Sequence, residues 1–312
     1  MIDQIICGDS IHMMAQLEDA LAHAIISDIP YGINCDEWDV LHNNTNTALG
    51  GSSAAQKESG GIYKRRGKPL NGWSTADKNI PKEYQGWCAS WANDWLRVLK
   101  PGGTCFVFAG RRYAHRCIVA LEDAGFIFKD MIAWEKNTAA HRAQRLSAIY
   151  ERRGDDFNNA KWKGWRVANL QPLFEPVLWF QKPYRIGGTI ADNVLENGIG
   201  AWNEKAMQKY NISHSSGALS CANIIQVPTS SEDRGSHIAQ KPLELMKCLI
   251  ELVTIEGQII VDPFAGSGTT CVAAKQLNRH YIGFEISNDT CEIAKQRIDE
   301  PYQSQLAMDM KI

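Results

Sequence analysis

Val261-Asp262-Pro263-Phe264-Ala265-Gly266-Ser267-Gly268-Thr269-Thr270 is the stretch whose reading decides the fold. An apolar run from Gln258 to Val261 ends in an acid, a glycine-rich turn follows, and a helix-like run extends from Thr269 to Leu277. The pattern predicts strand, tight turn, helix. Gly266 and Gly268 are free to take positive φ and to let a ligand approach the backbone. The helix start at Thr269 offers unpaired N–H groups. A second strand, Tyr281 to Phe284, closes on Glu285. A carboxylate there, about 20 residues past the glycines, is placed to accept hydrogen bonds from a ribose diol.

Three nucleotide-binding readings compete. A phosphate-cradling loop needs lysine after the second glycine, where this chain has Thr269. A dinucleotide fingerprint needs a third glycine or alanine, where it has Cys271. An S-adenosyl-L-methionine site has a ribose for Glu285 and no phosphate to cradle, and it is preferred. The bland alternative is an ordinary glycine turn. Only one more helix, Asn288 to Ile298, follows Glu285. Two strands make no domain, so the rest of a parallel sheet must come from earlier in the chain, in permuted order.

The 312 residues allow one domain with a large insertion, or two domains. Apolar and charged fractions are those of a globular protein. Net charge is −2, so nucleic-acid binding would have to come from a local patch. Nine cysteines form no C-x-x-C pair, which indicates neither a disulfide framework nor a zinc ribbon. No metal site is expected, and a reduced, cytoplasmic setting fits best. No signal peptide or membrane-length apolar run is present.

At the start, Ile2 to Cys7 leads into Gly8-Asp9-Ser10, with Ser10 expected to cap a helix through Leu17. Ala24 to Ser27 reads as a buried strand ending in Asp28-Ile29-Pro30-Tyr31-Gly32. Ligands gather at the carboxyl ends of strands in open parallel sheets, where Asp9 and Asp28 both fall. Pro30 biases Ile29 toward an extended backbone. The Asp28 carboxylate and the Ile29 carbonyl then make two adjacent acceptors, and Tyr31 adds a flat face. That set suits an exocyclic amino group on a flat base. Taken alone, the tetrapeptide is a weak signal, and a strand-end turn with a buried tyrosine is the more frequent explanation.

Together the two motifs resemble those of the amino-group DNA methyltransferases, which modify adenine N6 or cytosine N4. That family pairs Asp/Asn/Ser-Pro-Pro-Tyr/Phe with Asp-Pro-Phe-Ala-Gly-Ser-Gly-Thr-Thr. Here the catalytic motif precedes the cofactor motif, as in the beta arrangement, and Ile29 stands where the family usually has proline. The resemblance implies a Rossmann-like α/β fold, mostly parallel with an antiparallel terminal hairpin. It implies S-adenosyl-L-methionine as cofactor and double-stranded DNA as substrate, with the target base flipped out. Asp28, Ile29, Pro30 and Tyr31 would be catalytic. Asp262 and Phe264 would border the methionine end of the cofactor, Glu285 would hold its ribose, and Gly266, Gly268 and Thr269 would form the turn. Asp9 and Lys241 would lie nearby. Adenine is preferred, because the cytosine enzymes more often carry serine at the position of Asp28. A homodimer and a cognate restriction endonuclease are compatible partners, in a prokaryotic or phage-encoded setting. Competing readings are an N4-cytosine enzyme, a non-catalytic DNA adaptor whose site has decayed at Ile29, and a nicotinamide oxidoreductase, which Cys271 disfavours.

The rest of the chain is divided accordingly. Residues 1–136 are expected to form the catalytic half, 137–222 a basic insertion and target-recognition region, and 223–312 the cofactor half. A long polar loop, 36–86, follows the catalytic turn as a candidate flap. It carries Lys64-Arg65-Arg66-Gly67-Lys68. A helix is read from Trp87 to Leu99 and another from Arg111 to Ala124, with strands over Thr104 to Ala109 and Phe126 to Trp134. A further strand, within Pro172 to Phe180, is placed at the sheet edge because of its prolines. Between the last two strands, Arg152, Arg153, Lys161, Lys163 and Arg166 surround Trp162 and Trp165. Cations contact phosphate and aromatic faces stack on bases. An inward-packed Trp162 on an ordinary strand is the competing reading. Lys182 to Cys221 reads as irregular. Asn223 to Val227 reads as a short strand, and Gln240-Lys241-Pro242 opens a helix.

Overall fold

The computed structural model describes residues 1–32, 75–136, 143–167, 169–210, 222–227 and 240–300. In chain order the elements are β1 (Gln4–Cys7), α1 (Ser10–Met14), β2 (Ala22–Asp28), α2 (Thr75–Val98), β3 (Leu99–Phe108), α3 (Ala114–Asp123) and β4 (Ile127–Glu135). The insertion follows, with β5 (Gln144–Arg145), α4 (Leu146–Glu151), α5 (Asp156–Lys161) and β6 (Arg166–Val167). The chain then forms β7 (Phe174–Gln181), α6 (Ile190–Asn197), α7 (Glu204–Tyr210), β8 (Ile224–Ile225) and α8 (Leu243–Val253). It closes with β9 (Ile259–Asp262), α9 (Thr269–Gln276), β10 (His280–Glu285) and α10 (Asn288–Asp299).

One sheet of order β1-β10-β9-β2-β3-β7-β4-β8 organises the molecule. Every pairing in it is parallel except those of β7, which is antiparallel to both β3 and β4. The late strands β9 and β10 lie between β1 and β2, the permuted order that the position of the glycine turn requires. Helices cover both faces, so the central strands read as near-continuous apolar runs. The pleat sends alternate residues to opposite layers. Ile25, Val107 and Phe180 pack with α1, α2 and α3, whereas Ile26, Phe106 and Val177 pack with α7, α8, α9 and α10. Among the described residues no helix is long and apolar enough to cross a membrane.

Several expectations are corrected. Asp9, not Ser10, caps α1 by accepting from the Ile11 N–H at 2.9 Å, and Ser10 is a buried first helical residue. Helix α2 begins at Thr75, so residues 75–86 of the expected loop are helical. Residues 36–74, with Lys64 to Lys68, lie outside the described residues. β7 is an interior strand, not an edge. It accommodates Pro176 because β3 pairing ends at Phe108 opposite Val177, one residue short of the proline, whose carbonyl still accepts from the Ala109 N–H at 3.4 Å. The segment after Lys182 holds two helices rather than irregular chain. Thr189 and Asp192 form a capping box on α6, Gly198 closes it in the left-handed region, and α7 buries Ala206, Met207 and Tyr210 in the core. Finally, Cys7 and Cys291 are joined in a disulfide across 284 residues. Spacing along the sequence could not show this, because only the β1–β10 pairing and the α10 crossover bring the two together.

Candidate active site

Parallel strands deliver their carboxyl ends to one rim. Asp28 ends β2, Asp262 ends β9 and Glu285 ends β10, so three carboxylates predicted from strand ends share that rim. β4 runs in the same sense, so its last residue, Glu135, also reaches it. The basic insertion leaves the sheet there and returns there at Phe174, and its neck is closed by the Lys136 N–H bonding the Leu173 carbonyl at 2.7 Å.

The glycine turn is built as its sequence demands. Gly266 and Gly268 take φ of 53° and 79°, where other residues are strained. Glu285 accepts from the Gly266 N–H at 2.9 Å with one oxygen and from the Ser287 N–H at 2.8 Å with the other, so the second strand end holds the first turn in place. Asp262 is 3% exposed and accepts from the Ser27 hydroxyl at 2.6 Å and the Phe264 N–H at 3.2 Å. Burial raises its carboxyl to about 6, against the partial opposition of Ser27, Thr270 and the Phe264 N–H. The Phe264 ring packs on Trp87, Trp91 and Trp95, one per turn of α2, at centroid distances of 5.7, 6.4 and 6.1 Å. Thr269 is buried and accepts from Arg297 at 3.2 Å, which gives its side chain a structural task at the start of α9. Asp9 sits after β1 with both oxygens engaged, one on the Ile11 N–H and one facing His12 at 3.1 Å.

The Asp28 turn is braced from two elements. The Tyr84 hydroxyl of α2 donates to the Pro30 carbonyl at 3.1 Å, and Tyr31 lies so close to Gly110 that a Cβ there would meet the tyrosine Cβ at 2.9 Å and its ring at 3.1 Å. Ile29 is 2% exposed and buried in the α2-side core, which gives the departure from proline a packing reason. Asp28 Oδ2 is paired with the Lys241 ammonium, while Oδ1 is buried and has no hydrogen-bond partner among the described residues. Burial pushes the Asp28 carboxyl up, Lys241 pulls it down, Glu175 pushes it up again and the Tyr31 hydroxyl lowers it. Lys241, expected to lie near the cofactor, bonds the Asp28 carboxylate.

Glu175, at the start of β7, was not singled out from sequence. It accepts from Tyr31 at 3.3 Å and from Lys136, and lies 3.9 Å from Lys241. Burial pushes its carboxyl up, but Lys241, Lys136 and Tyr31 outweigh it and hold the group below the ordinary range. Nothing local marks Glu175, since its partner Tyr31 is 144 residues away. The five expected DNA contacts all lie exposed on the insertion. Arg152 bonds the Ala148 carbonyl and Arg166 the Ala143 carbonyl at 3.0 Å each, Arg153 stacks on Tyr150, and Lys161 lies over Phe157 and Trp162. Trp165 is 61% exposed, edge-on to the half-buried Trp162, so the segment is a solvated helix–turn rather than an inward-packed strand.

Residues 22–296 match the family model of DNA methylases, the N6/N4 methyltransferases. The chain belongs to the DNA methylase family. The methyltransferase is 60% identical over 298 residues to the Type II methyltransferase M.HindIII of Haemophilus influenzae, covering 96% of each chain. It is 25% identical to the Type II methyltransferase M.HpaI of Haemophilus parainfluenzae, over 100% of this chain and 79% of that one. Among solved structures, its fold is shared by the cytosine-N4-specific PvuII DNA methyltransferase, with a TM-score of 0.60 at 15% identity over 98% of this chain and 89% of that one. The putative DNA modification methylase TTHA0409 of Thermus thermophilus, complexed with S-adenosyl-L-methionine, gives a TM-score of 0.56 at 18% identity, over 95% and 92%. The Rossmann-like fold expected from the two motifs is thus the fold of DNA methyltransferases.

Proposed function

We propose that this DNA methyltransferase uses S-adenosyl-L-methionine to methylate the N6 amino group of adenine in double-stranded DNA, with Asp28 as the principal acceptor of the amino hydrogens. The observation that carries the reading is Asp28 Oδ1, a buried acceptor without a partner among the described residues, beside the Tyr31 ring. Buried acceptors in folded proteins are satisfied with few exceptions, and an exception at a strand end suits a ligand's donor.

The cofactor fits the rim on its chemistry. Among the described residues Asp28, Asp262, Glu285 and Glu135 end strands there, Lys241 is paired with Asp28, and Arg297 is taken up by Ser267 and Thr269 of the turn. Such a rim disfavours a pyrophosphate and suits a cationic ligand with a ribose. A Cβ at Gly266 would meet nothing within 4 Å, so there is room in front of the turn. Glu285 would hold the ribose with its remaining lone pairs, and Asp262 and Phe264 would border the methionine end. When bound, S-adenosyl-L-methionine supplies an electrophilic methyl group. The chain supplies the rest. An exocyclic amine is a poor nucleophile because its lone pair is delocalised into the ring. Asp28 and the Ile29 carbonyl accept its two hydrogens, favour a pyramidal nitrogen, and stabilise the positive charge that develops there. The proton shed on N-methylation passes to Asp28. Tyr31 stacks on the base, which must leave the duplex to reach the site.

Adenine is favoured over cytosine by the aspartate at position 28, through the resemblance stated above. The bracing of the Asp28 turn and the buried Ile29 argue against a decayed site. The insertion, with five exposed cations and two tryptophans, supplies phosphate and stacking contacts at the rim where catalysis occurs. Such a reaction belongs in the compartment holding the DNA, here the cytoplasm. Incubation with labelled S-adenosyl-L-methionine and unmethylated DNA, followed by mass analysis of nucleosides, tests the proposal. N6-methyladenine is expected. N4-methylcytosine as sole product would overturn the base assignment, and binding without transfer would overturn catalysis.

A further inference from the structure

Four charged side chains from four parts of the chain stand in a row beside the Tyr31 ring. Asp28 ends β2, Lys241 precedes α8, Glu175 begins β7 and Lys136 follows β4. Their signs alternate, so each charge has an opposite neighbour. Lys241 is 8% exposed, its ammonium bonds Asp28 Oδ2, lies 3.9 Å from Glu175, and sits 5.4 Å from the ring centroids of both Tyr31 and Phe108. Buried charges are kept in place by their partners, and removal of one partner leaves another uncompensated.

We propose that Lys241 is a positioning residue for methyl transfer: it pins Asp28 by Oδ2, is held in turn by Glu175, and so presents Oδ1 alone to the amino group of the target base. The proposal rests on the reading of Asp28 given above. A carboxylate torsion is broad and two-fold, and an unpinned Asp28 would share its time among orientations. The same pair sets the charge of the acceptor. The groups facing Asp28 are Lys241, Glu175, Tyr31 and, from β9, Asp262. Burial and Glu175 disfavour the carboxylate, and Lys241 and the Tyr31 hydroxyl favour it. The ionised carboxylate is the stronger acceptor and the only form that can take the proton shed on transfer, so activity falls as pH falls through the Asp28 titration. Removing Lys241 moves that acid limb to higher pH. Neutralising Glu175 moves it to lower pH, because it removes a like charge and leaves Lys241 wholly to Asp28. A merely structural lysine would lower the rate equally at all pH values.

The test is single-turnover transfer to duplex DNA against pH for wild type, Lys241→Met, Lys241→Arg and Glu175→Gln, with cofactor affinity by calorimetry. Lys241→Met should lose on the order of 100-fold in rate near neutrality. Its acid limb should rise, Lys241→Arg should restore much of the rate, and cofactor affinity should stay within about threefold, the order of a neutral substitution. Glu175→Gln should shift the limb downward, a readout that survives if Lys241→Met does not fold. In the cofactor-free protein, the Asp28 carboxyl 13C resonance, identified by its absence in Asp28→Asn, should move its midpoint the same two ways. Unmoved limbs and midpoints, or a large loss of cofactor affinity with an unmoved limb, would overturn the proposal. Asp28→Ala separates the two levels. Transfer at the wild-type rate by that variant would defeat the reading of the site itself, whereas its inactivity beside a normal Lys241→Met defeats only the role of Lys241.

Discussion

Asp262 lies under the glycine turn with its carboxyl raised to about 6 from the 3.8 of a free aspartate, mainly by burial. That difference corresponds to about 3 kcal/mol of preference for the protonated form in the folded state. Between about pH 4 and 6 the folded protein binds more protons than the unfolded chain at this residue, so its contribution is fully present below pH 4 and lost as pH rises through 6. Asp262→Asn keeps an acceptor for Ser27 and Phe264 and removes the titration. Its unfolding free energy should therefore exceed wild type near pH 7 by up to about 3 kcal/mol and fall less between pH 4 and 6, as measured by urea denaturation across that range. Glu285 behaves differently, because both its oxygens hold backbone N–H groups. Glu285→Ala should release the Gly266 turn and weaken S-adenosyl-L-methionine binding by about 1–3 kcal/mol, read by calorimetric titration. Wild-type affinity in the folded variant would remove Glu285 from the cofactor site.

The insertion makes its prediction as an element. Arg152, Arg153, Lys161 and Lys163 are exposed, and the segment joins the sheet at the rim where Asp28 lies. Neutralising one phosphate-contacting member should flatten the slope of log affinity against log salt by about 1 and leave cofactor affinity unchanged. An unaltered slope for all four would make the segment an ordinary solvated face. Elements also explain what could be read beforehand. Strand ends with acids were legible because a parallel strand buried on both faces is an apolar run, and Asp28, Asp262 and Glu285 each close one. The glycine turn was legible from its two positive-φ positions. α6 carried readable signals in Thr189, Asp192 and Gly198 that the surrounding polar residues obscured. The interior position of β7 was not legible, since a proline argues for an edge unless the neighbouring strand is known to end one residue earlier. Glu175 and the Lys241–Asp28 pairing were hidden for the same reason: neither has a local pattern, and only the sheet order brings them together.

At the scale of the whole molecule, Cys7 and Cys291 tie the first strand to the last described helix. A cross-link closing so long a loop restricts the unfolded chain strongly, typically by about 2–4 kcal/mol. The free cysteines among the described residues are all buried. Reductant should therefore lower the urea midpoint of the oxidised wild type, and Cys291→Ser should show the lower midpoint with or without it. Equal midpoints under both conditions would mean that the pair contributes nothing to stability. The sheet order bears also on how the protein is made. β1 has β10 as its strand neighbour, and one side of β2 waits for β9. The Ser27–Asp262 bond spans 235 residues, on the order of 10–50 s of ribosomal synthesis. For that interval the emerging N-terminal strands have open backbone edges and no way to complete their rim, so the newborn chain assembles it only after β9 and β10 have been synthesised.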